Sequence, residues 1–131
     1  MLRVNIVTPE RPFLDQQCLS VTVPGSEGFM QILPGHAAIL AELKPGVVSC
    51  QKSNGDYENY MVAEGFVEVD RDQVNILCEQ AFNKSEVDKE HEENLLLQLK
   101  EKISKLDQDD GEQKRNLIAL SRCVARLSLL E

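Results

Sequence analysis

The stretch Gly25 to Leu40, GSEGFMQILPGHAAIL, holds three of the chain's seven glycines, one of its five prolines and one of its two histidines. Residues of these types so close together could build a nucleophilic site, cradle a ligand, or simply turn the chain. A hydrolase reading needs a nucleophile beside a base that activates it. Ser26 sits in Gly-Ser-Glu-Gly, not in the Gly-x-Ser-x-Gly elbow that exposes a serine above a strand. His36 is of the residue type that serves as a general base, yet no recognisable pattern places a nucleophile next to it. The second histidine, His91 in KEHEEN, begins like a zincin helix, but Leu95 stands where the second metal ligand belongs. No phosphate loop of the Gly-x-x-x-x-Gly-Lys-Ser/Thr type occurs. Cysteines at 18, 50, 78 and 123 lack any Cys-x-x-Cys spacing, and the first three lie in apolar, strand-like runs. Such thiols are expected to be reduced and to pack as small hydrophobes. The expectation is a protein with no catalytic centre, metal or cofactor, in which the glycine stretch shapes turns.

What positions this stretch follows from the rest of the chain. At 131 residues, with 42% hydrophobic and 27% charged side chains, the sequence suits one globular domain, or a small domain with an appendage. Its apolar runs fall far short of the roughly 18 residues that a membrane-spanning helix needs. The start, MLRVNIVTPE, has neither the apolar core of a secretory signal nor the Arg/Ser richness of a transit peptide. A protein made where it works is therefore expected. The net charge of -8 argues against nucleic acid and anionic lipid as partners. That charge divides as -5 over residues 1–85, -6 over 86–112 and +3 over 113–131. An acidic segment before a basic one predicts two elements that attract each other, or a basic end for an acidic partner.

Residues 1–84 read as short strands. LRVNIV, CLSVTV, FMQIL, VVSCQ, YENYMVA, FVEVD and QVNILCE are rich in Val, Ile and aromatic residues, with frequent period-two alternation, and turn signals separate them. Asn54-Gly55 carries the strongest hairpin signal, for a type I′ turn. Residues 85–131 follow a different grammar, without Gly or Pro from 85 to 110. SEVD at 85–88 fits a capping box led by Ser85, and Leu95, Leu99, Ile103 and Leu106 mark one helical face. After the polar DQDDGE, Asp109 is placed to cap a second helix striped by Leu117, Leu120, Val124 and Leu127. The predicted fold is an N-terminal antiparallel β-sandwich followed by a C-terminal antiparallel two-helix hairpin. Arg115, Arg122 and Arg126 fall within about 40° of one another, opposite the leucine stripe. They make either a solvated face or a contact for an acidic partner or a phosphate.

With these features in place, the chain resembles the epsilon subunit of the rotary F-type ATP synthase, called delta in mitochondria. Gly25-Ser-Glu-Gly28 and ILPGHAAIL match that family's Gly-x-x-Gly turn and its Leu-Pro-Gly-His-Ala-Pro-Leu-Leu hallmark. LKPG at 43–46, AEGFVEVDRDQVNIL at 63–77 and the terminal ALSRCVARLSLLE follow in the family's order. The resemblance implies a non-catalytic rotor part at the foot of the central stalk. Its sandwich would grip the gamma subunit and rest on the c-ring loops, passing torque from proton or sodium flow to the catalytic head. Gly28, Phe29, Met30 and Gln31 would meet the c-ring, with His36 near the ring and gamma contacts. Arg115, Arg122 and Arg126 would meet the catalytic head when the hairpin extends, or pair with the acidic first helix when it is folded, and the hairpin would serve either as an inhibitor of hydrolysis or as a passive brace. Phe29-Met30-Gln31 replaces the family's common Glu-Leu-Gly, and Ala38 a frequent proline, so a more hydrophobic ring contact is expected. Some relatives bind ATP in the folded hairpin, and Asp88, Arg122 and Arg126 match positions of that motif. His91 and Glu92 replace its arginine and alanine, however, and five acidic residues between 86 and 93 would repel a polyphosphate. The implied place is the cytoplasmic face of a bacterial plasma membrane, without insertion, or else the stromal side of a plastid thylakoid. An unrelated adaptor whose hairpin docks a helical partner is the other reading, and a small hydrolase using His36 a third.

Overall fold

A computed structural model describes residues 1–105 and 111–131. Leu106, Asp109 and most of the polar DQDDGE turn lie outside the described residues. The chain forms β1 (Leu2–Val7), β2 (Pro12–Cys18), β3 (Ser20–Gly25), β4 (Gly28–Ile32) and β5 (Ile39–Leu43). It continues with β6 (Gly46–Gln51), β7 (Tyr57–Val62), β8 (Gly65–Asp70), β9 (Gln73–Cys78) and β10 (Ala81–Asn83). A 3-10 turn at Lys84–Glu86 then leads into α1 (Lys89–Lys105) and α2 (Gly111–Leu129). Among the described residues no helix is long and apolar enough to cross a membrane.

Period-two alternation builds the core as expected: β1 buries Leu2, Val4 and Ile6 and turns Arg3 and Val7 outward. The strands follow the order β10-β7-β6-β3-β5-β8-β9-β1-β2, with β4 on the side against β3. Only the pair Gly25↔Leu43 joins β3 to β5, so the ladder folds there into two layers. Val21, Val23, Val48, Cys50 and Val62 of one layer share a single buried cluster with Val4, Ile6, Val67, Val69, Val74 and Ile76 of the other. Each such side chain contributes about 1.5–3 kcal/mol of burial, which offsets the entropy of ordering the strands.

The sandwich is not wholly antiparallel. β1 runs parallel to β9, from Arg3↔Gln73 to Val7↔Leu77. A parallel neighbour needs a long connection, and most of the domain lies between these two strands. Three strands escape the sequence reading. In β2, PFLDQQC is too polar; in β5, ILAEL has helix-favouring Ala, Glu and Leu; β10 is only three residues long. The hairpin turns differ too. At Asn54-Gly55 only Gly55 has positive φ, 91°, and Lys52 N–H donates to the Asp56 carbonyl across a longer loop. The type I′ geometry belongs to Arg71 and Asp72, with φ of 52° and 62°, between the paired Asp70 and Gln73.

The hairpin begins later than the capping-box reading placed it. Asn83, not Ser85, caps the 3-10 turn, and Glu86 Oε1 accepts from Asn83 N–H at 2.9 Å. That bond, aided by Arg11 at 3.1 Å, holds the Glu86 carboxyl below its ordinary range. Asp88 then caps α1, its Oδ1 accepting from His91 N–H at 3.2 Å. In α2 the leucine stripe is split: Leu117 and Val124 stay about half exposed, while the buried positions are Gln113, Asn116, Cys123, Ala125 and Leu129. The reason is that α2 serves two partners at once. Cys123 and Gln113 face α1, whereas Ala125 and Leu129 pack with Met61 and Ala63 of the sandwich.

Two buried amides of α2 each carry one polar atom without a partner among the described residues. Gln113 Nε2 donates to the Ile103 carbonyl at 3.0 Å, but Gln113 Oε1 and Asn116 Nδ2 find nothing. An unsatisfied buried amide costs about 1–3 kcal/mol. Asn116→Leu, which is nearly isosteric, is therefore expected to stabilise the full chain by about 1 kcal/mol. Thermal unfolding checks this, and a lowered midpoint would refute it.

Candidate docking surfaces

The glycine-rich stretch forms an edge that runs from one turn, along β4, to another. Gly25 and Gly28 pair across the first turn, and a Cβ on Gly25 would sit 2.7 Å from the Gly28 carbonyl oxygen. Along β4 the side chains alternate. Phe29 is 68% exposed and Gln31 is exposed, but Met30 turns inward and packs against the core. The expected apolar patch is thus carried by Phe29 alone, because successive strand residues take opposite faces.

The far end of β4 leads into Leu33-Pro34-Gly35-His36. His36 N–H donates to the Leu33 carbonyl at 3.1 Å, and Gly35 has φ of 83°, which defines a type II turn. Asp72 in the β8–β9 turn accepts from Gly35 N–H at 2.7 Å, so two strained turns brace each other. His36 is half-buried, its Nδ1 lying 2.7 Å from the Ala37 carbonyl. That contact fixes the ring on the backbone instead of presenting it to a nucleophile. Gly28 and His36 therefore stand at opposite ends of one strand.

A second surface was not foreseen. Strand register lines up Phe66, Leu77 and Val7 across β8, β9 and β1 on the outer face. Their exposures are 54%, 57% and 37%, and Leu40 of β5 on the same face is 73% exposed. Strands with one solvated face usually turn polar residues out. A contiguous apolar row of this kind is a candidate interaction surface. Its sequence signal is adjacent apolar residues, Ile6-Val7, Phe66-Val67 and Ile76-Leu77, in strands that otherwise alternate.

The arginines of α2 form the third constellation. Arg122 donates to Glu64, in the β7–β8 turn, through Nε at 2.8 Å and Nη2 at 2.7 Å. Arg126 Nε donates to Glu92 of α1 at 2.7 Å, and its Nη1 to Gln80 at 3.3 Å. The Arg126 guanidinium also lies 5.6 Å from the centroid of the Phe82 ring. Arg115, nearer the start of α2, is exposed. This face is folded inward at Arg122 and Arg126, where it fills the angle between α1 and the sandwich and meets carboxylates. Asp88 is occupied as the α1 cap.

Other reactive groups are quiet. All four cysteines are free and buried. Burial pushes the Cys78 thiol up to about 11 and raises Cys50 and Cys123 as well, so these remain protonated thiols. Among the described residues no group of three or more His, Cys, Asp or Glu side chains could hold a metal ion.

Comparison with known proteins agrees with this architecture. The model of the ATP synthase delta/epsilon chain β-sandwich domain matches residues 1–84. The ATP synthase epsilon chain of Moorella thermoacetica is 36% identical over 130 residues, covering 96% of this chain and 93% of its own length. That of Bacillus velezensis is 38% identical over 128 residues, covering 98% and 96%. In fold, the chain is similar to one in the cryo-EM structure of Euglena gracilis mitochondrial ATP synthase, OSCP/F1/c-ring. That likeness has a TM-score of 0.87 at 23% identity and covers 99% of this chain and 81% of the other. A family model over the whole sandwich, and relatives that extend through the hairpin, place the chain in the ATP synthase delta/epsilon family.

Proposed function

We propose that this chain is the non-catalytic central-stalk subunit that ties the gamma subunit to the c-ring and the catalytic head. The observation that carries this reading is family membership along the whole chain, joined to two separate exposed apolar features on one rigid body. Phe29, at the β4 edge, is the ring-side contact, with Gly28 and Gln31 beside it. The row Phe66, Leu77 and Val7 is the gamma-side contact, with Leu40 and the His36 turn along the same sheet. Torque transfer requires an element that does not deform under load, and a close-packed sandwich has low compressibility. Short turns braced by Asp72 lose little entropy on docking.

The chain divides at 84/85 into the docking sandwich and a regulatory hairpin, which restrains ATP hydrolysis by reaching the catalytic head with Arg115, Arg122 and Arg126. It works peripherally, on the cytoplasmic face of a bacterial membrane. The test uses the matching catalytic head stripped of this subunit, with either the full chain or a version ending at Lys84 added back. Suppression of ATP turnover by the full chain only is expected. Gamma binding by both forms with no change in turnover would reduce the protein to a coupling spacer, and no binding by either would overturn the docking role.

A further inference from the structure

We propose that Glu64, held by Arg122 across the seam between α2 and the sandwich, and Glu92, held by Arg126 across the seam between α1 and α2, form a carboxylate latch that keeps α2 closed on both without any bound nucleotide. The inference deepens the regulatory reading above and rests on the hairpin being able to leave the sandwich. Arg122 and Arg126 stand one helical turn apart on α2, yet each engages a different part of the molecule. Arg122 reaches the sandwich at Glu64, in the β7–β8 turn. Arg126 reaches α1 at Glu92 and, through Gln80 and Phe82, the sandwich again. One face of α2 therefore fastens all three parts together.

A compact apolar cluster lies at that closure. Met61, Ala63, Ala125 and Leu129 make up its buried cluster, with Val47, Phe82 and Val87 packed around them. Two of the four are alanines, which remove less area from water than larger apolar side chains do. The ion pairs therefore carry weight here that surface pairs usually do not. The Arg126 and Glu92 side chains are only 12% and 8% exposed, and those of Arg122 and Glu64 are 26% and 36% exposed. Removing one member of a shielded pair leaves an uncompensated charge, which is strongly unfavourable while the hairpin stays closed. Opening relieves it by letting water reach the guanidinium.

The same geometry disfavours a nucleotide. Both guanidiniums already hold carboxylates, Asp88 caps α1, and a polyphosphate would have to displace Glu92 beside Glu90 and Glu93. Closure should respond to salt, and the more exposed Glu64–Arg122 pair should be screened first.

Amide hydrogen exchange of the full chain, read by mass spectrometry, tests the latch. Glu92→Gln and Glu64→Gln are each expected to speed exchange across residues 119–129 by about tenfold or more, with β1, β8 and β9 unchanged. Glu64→Arg combined with Arg122→Glu should restore protection, and raised salt should speed wild-type exchange. Rates within about twofold of wild type, or equal acceleration in β1, β8 and β9, would overturn the latch. Slower wild-type exchange in millimolar ATP would overturn its independence of nucleotide. The same variants are then added to the catalytic head. A hairpin that opens without altering hydrolysis leaves the latch standing and removes the inhibitory reading. A hairpin that does not open, in a chain that still inhibits, does the reverse.

Discussion

Phe66→Asp combined with Leu77→Asp is expected to weaken binding to the gamma subunit by about a hundredfold or more, with the fold intact. Both side chains point outward and pair across β8 and β9, more than half exposed, so replacing them opens no cavity. Buried at an interface, large apolar anchors of this kind each account for 2 kcal/mol or more on truncation, about thirtyfold in affinity. A carboxylate in their place adds desolvation cost, and Glu42, which pairs with Phe66, already lines that face with negative charge. Calorimetric titration of gamma with the full-length variant gives the affinity, and circular dichroism confirms that the sandwich is unchanged. Affinity within about threefold of wild type would move the gamma contact elsewhere and leave the row unexplained. Phe29→Asp serves as the paired control. It should leave gamma binding unaltered while weakening retention of the chain on the intact complex with its c-ring.

The second large effect is on stability. Gly65→Ala is expected to cost about 3 kcal/mol or more and to lower the unfolding midpoint by on the order of 10 °C. A Cβ at this position would sit 1.9 Å from the Leu77 carbonyl oxygen and 2.7 Å from Cys78 Cα. Both are backbone atoms of the adjacent strand, so no rotamer change relieves the clash, and β8 must separate from β9 where Gly65 also pairs Leu43. The consequence reaches function, because the Phe66–Leu77–Val7 row starts one residue further on. Gly35→Ala is the informative contrast: a Cβ there meets nothing within 4 Å, and only its φ of 83° is strained. About 1 kcal/mol is expected at Gly35, since the backbone tolerates αL at modest cost. Scanning calorimetry of the two variants checks the order, and equal midpoints would refute the close-approach argument.

The sequence by itself determined whatever depends on local period and composition. Alternation in LRVNIV and FVEVD gives β1 and β8 with their inward faces, because period two and one buried side leave a single register. The loss of Gly and Pro after Lys84 marks the change to helices, and the ordered GSEG, LPGH and KPG motifs carry the family. Cysteines inside apolar runs pack as buried thiols for the same local reason. Where a residue's neighbours come from far along the chain, local pattern is silent or misleading. The tight β8–β9 turn uses Arg71 and Asp72 without glycine, since Asp72 is held by Gly35 from another loop. The leucine stripe of α2 reads as its buried face, yet two partners at an angle bury Gln113, Asn116, Cys123, Ala125 and Leu129 instead and draw Arg122 and Arg126 inward. Their carboxylates lie 58 and 34 residues away in sequence, on a turn and a helix whose approach only the closed fold produces. The apolar row likewise exists only once β1, β9 and β8 are side by side, since three residues from three strands become one surface through strand pairing alone.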